Sequence, residues 1–176
     1  GATDAEIESV RALASAQQKL GVVGDEVALA GAQQLATFAR NTDTINTLIP
    51  AMENLAVQQN GVNVTSGNMV SIANLMGKAL QGQVGALSRV GISFTEAQEK
   101  VLKYGTEQER AATLAQVITD NVGNMNEVLA QTPEGKIQQL KNTMGDLQET
   151  LGAALAPVIT EIASAVSNFF AEHEPQ

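Results

Sequence analysis

Helix signals follow one another along this chain, and no strand pattern interrupts them. That regularity constrains the fold more than any other feature. Thr3-x-x-Glu6 has capping-box spacing, and Ile7, Val10, Leu13 and Ala14 continue behind it in helical steps. Gly21 and Gly24 end that stripe. A second helix starts near Asp25, carries Val27, Leu29, Leu35, Phe38 and Ala39, and stops near Asn41. Asp43 caps a third, with Ile45, Leu48, Ile49, Met52, Leu55 and Ala56 apolar. Pro50 lies inside that pattern, so this helix either bends there or is two pieces. The only alternating stretch, 61–65, is too short and too polar for a strand.

Asn60-Gly61 marks a turn. Thr65 or Ser66 then caps a helix with Met69, Ile72, Leu75, Met76, Ala79 and Leu80, broken by Gly82-Gln-Val-Gly85. A short helix over 86–90 leads to Gly91. Thr95 caps a helix over 96–104, closed by Gly105. Thr106-x-x-Glu109 is a second capping box, opening a helix with Ala112, Leu114, Val117 and Ile118 that ends at Gly123. A short helix over 124–130 follows. Thr132-Pro133-Glu134 is then a strong helix start: a cap, proline at the first helical position and an acid at the positive helix end.

The helix after Thr132 is the longest. Ile137, Leu140, Met144, Leu147, Leu151, Ala154 and Val158 follow steps of three and four, a coiled-coil seam interrupted by Pro157. It either packs on its own domain or self-associates over Pro133–Phe170. The expected fold class is therefore all-α: an irregular multi-helix bundle with a long C-terminal helix. The expected division is a compact helical domain over 1–131, then the long helix and polar tail over 132–176, kinked near Pro157.

Composition narrows the function classes. The 176 residues are 44% apolar, with no Trp, one Tyr (Tyr104), four Phe and no Cys. Such a length suffices for one domain with a real core. Small aliphatic side chains suit close helix packing and make a poor stacking platform for bases. Ten Lys and Arg against 19 Asp and Glu give a net charge of −9, which argues against a phosphate-binding surface. No nucleic-acid partner is expected. Without Cys, disulfides and thiolate chemistry are excluded. The most apolar stretch, 153–170, carries Pro157 and Glu161 and is a poor bilayer span, so no membrane span is expected. Gly1-Ala2 in place of an initiator Met suggests an expression scar on a piece of a longer protein.

Nothing in the sequence assembles catalytic, metal or cofactor chemistry, and the expectation is no enzyme. His173 stands in a polar tail without any companion ligand. The pairs Glu96/Glu99 and Glu107/Glu109 sit at helix starts, where the macrodipole accounts for them. Gly82-Gln-Val-Gly85 lacks the sheet that flanks a nucleic-acid clamp loop. Met76-Gly-Lys-Ala lacks the glycine and hydroxyl of a phosphate loop. Across 41–95 only Asp43, Glu53, Lys78 and Arg89 are ionisable. A stretch so poor in charge is buried by neighbouring helices, or else covered by a partner. Lys78 and Arg89 are expected to pair with acids on other helices or to satisfy carbonyls at helix ends.

Several short motifs stand in a characteristic order. They are Ala32-Gln-Gln-Leu-Ala-Thr-Phe38, Met76-Gly-Lys-Ala-Leu80, Arg89-Val-Gly-Ile-Ser-Phe-Thr-Glu96, Ala115-Gln-Val-Ile118, Thr132-x-x-Gly135, Leu140-Lys-Asn142 and Leu151-Gly152 with Leu155-Ala-Pro157. In this order the chain resembles, over 25–162, the tail-length tape measure proteins of long-tailed bacteriophages and prophages. Met76 stands where the family usually has Leu, and Gln81-Gly-Gln83 replaces a frequent proline. The resemblance implies a structural protein around which tail tube subunits polymerise, whose length sets tail length and which leaves the tube during DNA ejection. It implies the tail tube protein, tail assembly chaperones and tail-tip proteins as partners. It also implies residence in the virion tail, and in the host cytoplasm during assembly. The family contributes no catalytic residue. The alternative is a helical protein-interaction module of another large bacterial protein, secreted or at the cell surface.

Overall fold

The computed structural model describes residues 3–149, which form nine helices and no strand. The chain divides into two compact units, Gly1–Leu140 and Lys141–Gln176. The first holds α1 (Asp4–Leu20), α2 (Asp25–Leu35), α3 (Thr42–Asn60), α4 (Ser66–Leu80), α5 (Gly85–Arg89), α6 (Glu96–Tyr104), α7 (Glu107–Val122) and α8 (Met125–Ala130). It also takes in the opening turns of α9, which starts at 133 and is helical through 149. Of the second unit, 141–149 is described. The Pro157 kink, the seam positions Leu151, Ala154 and Val158, and the tail with His173 lie outside the described residues.

Threonine caps set most helix starts. Thr3 and Thr106 close the expected capping boxes, each hydroxyl accepting the backbone N–H of a glutamate three residues on. Thr65 and Thr95 do the same with Asn68 and Gln98 as reciprocating residues. Thr132 accepts the N–H of Gly135 at 3.0 Å and donates to the Leu129 carbonyl at 2.7 Å, coupling α9 to the end of α8. Gly82 ends α4 with φ +88, and the Gln83 N–H returns to the Lys78 carbonyl at 2.9 Å, so this segment is a helix stop.

Two boundaries differ from the sequence reading, and one of the two alternatives at Pro50 is removed. α2 ends at Leu35, and Thr37, Phe38 and Ala39 continue as a hydrogen-bonded turn that still packs inward. Asn41, and not Asp43, caps α3: its side chain accepts the Thr44 N–H at 3.2 Å, while Asp43 lies in the first turn. Pro50 does not divide α3, which runs unbroken across it. Pro50 has no N–H to offer the Asn46 carbonyl, and burial of the surrounding helix outweighs that lost bond.

α3 is the central element and touches α1, α2, α4, α7 and α8. The buried apolar residues are all Ala, Val, Leu, Ile or Met, in keeping with a composition nearly free of aromatics. The charge-poor stretch supplies much of this core through Leu48, Ile49, Met52, Leu55, Met69 and Met76. Contact between α2 and α4 is especially close, and the paired positions advance together along both segments, so the two run parallel. Met69 lies against Gly31, Gln34 Nε2 donates to Asn74 Oδ1 at 2.6 Å, and the Phe38 ring lies against Gly77. A Cβ on Gly31 would fall 2.5 Å from Met69 Cγ, and one on Gly77 would fall 2.2 Å from Phe38 Cδ2. Glycine is needed at both points because the neighbour occupies the Cβ position.

Candidate interaction surface

The opening of α9 is amphipathic in the reverse of the usual sense. A helix at the edge of a globular unit turns its apolar stripe inward. Here Gly135 is buried and Gln138 and Gln139 are half-buried, whereas Ile137 and Leu140 are 56% and 61% exposed. Gly135 is held against the Leu129 carbonyl, where no Cβ fits. Gln139 Nε2 donates to the Lys19 carbonyl at the end of α1 at 2.7 Å. These polar and backbone contacts fix which face is inward and leave the apolar pair outward. In the second unit, Met144 and Leu147 continue the three-and-four spacing and are also exposed. Large apolar side chains are thus exposed at helical spacing in each unit taken by itself.

The acids and bases weighed in the sequence take structural places. Glu109 completes the α7 capping box, and hydrogen bonds from the Thr106 backbone N–H and hydroxyl lower its carboxyl below the ordinary 4.5. Glu107 accepts the Arg40 N–H and the Asn41 side-chain amide, tying α7 to the loop before α3. Glu96 and Glu99 lie in the first turn of α6. Lys78 and Arg89 are exposed in the last turns of their helices, complementing the negative ends. The cation that satisfies helix-end carbonyls is Arg110, which sequence reasoning missed. Its guanidinium donates to Gly105 O at 2.8 Å, Leu80 O at 3.0 Å and Lys103 O at 2.6 Å, closing the ends of α4 and α6 together. Of those acceptors Leu80 lies thirty residues from Arg110, on a helix that no local pattern around Arg110 indicates.

A buried polar relay was also not legible. The Asn126 backbone N–H donates to Asn54 Oδ1 at 2.9 Å, and Asn126 Oδ1 accepts the Val22 N–H at 2.8 Å. This joins α3, α8 and the turn after α1. Among the described residues no group of three or more His, Cys, Asp or Glu is placed to hold a metal ion. No helix among them is long and apolar enough to cross a membrane.

Several motifs of the resemblance occupy packing positions, whereas Leu140 is exposed and the motif over 151–157 lies outside the described residues. Phe38 from the first motif lies against Gly77 of the second. In the third, Ile92 is buried, and Ser93 exchanges backbone bonds with the Asn121 side chain on α7 at 3.0 and 3.2 Å. Val117 and Ile118 of the fourth are buried in the same core. No family model, no curated protein and no solved structure matches the chain.

Proposed function

We propose that this chain is a structural module of a phage or prophage tail tape measure protein, acting without enzymatic activity in tail assembly and tail length determination, with a part in DNA ejection. The reading rests on the ordered motifs, and the observation that carries it is where their residues lie. The Phe38–Gly77 notch and the Ser93–Asn121 exchange are packing contacts, as expected of sequence retained for architecture. The outward face of α9 supports an assembly role, because its apolar side chains await a helix from another molecule. A second copy of the chain, joined along the 3-4 seam, is the first candidate, with the tail tube, chaperone and tail-tip proteins as the wider set. A helical interaction module of another large bacterial protein would use the same face.

In-frame deletion of 25–162 from the parent gene, followed by electron microscopy of the tails, tests the proposal. The expected result is tails shortened by up to about 1.5 Å per residue removed, or no tails if assembly starts here. Infectious particles with tails of normal length would overturn it.

A further inference from the structure

Glu53 is the only ionisable side chain that is buried among the described residues, at 0% exposure. Neither carboxyl oxygen has a hydrogen-bond partner. Its near neighbours along α3, one turn either way, are Ile49, Pro50, Ala56 and Val57. Two turns earlier on the same face, Asn46 donates to Ser9 of α1 at 2.9 Å, and one turn before that Thr42 donates to Glu6 at 2.6 Å. The two helices therefore run parallel there, and two full turns of helix place Glu53 on the same face of α3 as Asn46, the face turned to α1.

The helices packed on α3 carry Asp4, Glu6, Glu8, Arg11 and Lys19 on α1, Asp25 and Glu26 on α2, and Lys78 on α4. They carry Glu107, Glu109, Arg110 and Asp120 on α7 and Glu127 on α8, and α3 itself has Asp43. None of these is buried. Burial alone, with no charge contributing, pushes the Glu53 carboxyl well above its ordinary value. An ionised carboxylate at this position would have neither water nor a cation to stabilise it. The neutral acid fits, and a glutamine of the same size would fit without titrating.

We propose that Glu53 is a proton-held latch for α1: while the carboxyl is neutral α1 stays seated on α3, and loss of that proton to water unseats it as pH rises. The sign follows from linkage. The unfolded chain gives up this proton near the ordinary carboxylate value, and the folded chain keeps it to higher pH. Stability is therefore full below the unfolded value and falls as pH climbs toward the folded one.

The test uses the full chain and E53Q, with urea unfolding and amide exchange between about pH 5 and 9. The folded-to-unfolded ratio of the native protein should fall up to about tenfold per pH unit relative to E53Q. Protection of α1 amides should fall before that of α7. Parallel pH profiles for the two proteins would overturn the proposal, and so would simultaneous loss of protection in α1 and α7. If E53Q does not fold, carbon-13 NMR of the native side chain decides. A Glu53 carboxyl titrating like an exposed glutamate overturns the latch, and one still protonated at neutral pH upholds it.

Discussion

Replacing Gly77 by alanine sets two physical effects against each other at one position. Gly77 lies inside α4, so alanine should gain about 1 kcal/mol from helix propensity. The new methyl would fall 2.2 Å from Phe38 Cδ2, 2.4 Å from Cγ and 2.5 Å from Cε2. Carbon atoms rest about 3.5–4.0 Å apart, so the ring must retreat by more than about 1 Å. The contact includes Cγ, so the ring escapes only by a change of χ1 or by a shift of the turn over 36–39. Overpacking of this kind costs about 1–3 kcal/mol, and G77A should come out destabilised by up to about 2 kcal/mol. F38A removes the obstacle, and in that background G77A should stabilise by up to about 1 kcal/mol. Urea unfolding of the four proteins at one pH gives the coupling directly, expected at about 1–3 kcal/mol. Equal destabilisation by G77A in both backgrounds would refute the notch as the reason for glycine, as would net stabilisation in the native background.

Three further outcomes follow from the site descriptions. N126A leaves the Val22 N–H without its acceptor and N54A leaves the Asn126 N–H without its own, and each should cost about 1–3 kcal/mol in urea unfolding. The double variant I137Q/L140Q should leave stability within about 0.5 kcal/mol per substitution, as for other surface changes, and abolish any concentration-dependent association seen by sedimentation. A larger loss of stability would mean that the pair is packed within its own unit. At acid pH, Glu6 is held below 4.5, first by the Thr42 hydroxyl and then by Thr3, and Glu109 is held below it by Thr106. Both contribute stability above the unfolded value, lost as pH falls through the folded one, so E6Q/E109Q should flatten the acid limb of the stability profile. An unchanged limb would place the acid sensitivity elsewhere.

Local chemistry made the helices legible, because most begin on a side chain that caps its own third residue. Thr3, Thr95 and Thr106 could be read directly, and Gly61, Gly105 and Gly123 marked the stops. The errors arose where tertiary packing overrode local signals. Phe38 looked helical because it is apolar at helical spacing, but it is half-buried from a turn. Pro50 threatened to divide α3, and five surrounding helices hold it whole. Arg110, the Asn54–Asn126 relay and the solitude of Glu53 depend on which helices meet, and no spacing along the chain encodes that.

The distribution of charge carries the functional argument one step further. A stretch with four ionisable residues in 41–95 admitted burial or a partner, and α3 and α4 form the interior of the first unit. Scarcity of charge there reflects the core. The exposed apolar residues of α9 lie instead where charges are frequent in the sequence: Glu134, Lys136, Lys141, Asp146 and Glu149 alternate along the chain with Ile137, Leu140, Met144 and Leu147. Charges flanking an apolar 3-4 seam set register and partner choice in helix pairing. They do little for a helix whose apolar face is already buried in its own unit. If the seam pairs copies of this chain, reversing the signs of Lys136 and Lys141 should weaken association more at low salt than at high salt, while I137Q/L140Q should weaken it at both. Equal salt dependence of the two variants would separate the charges from the seam and leave the apolar face without a pairing role.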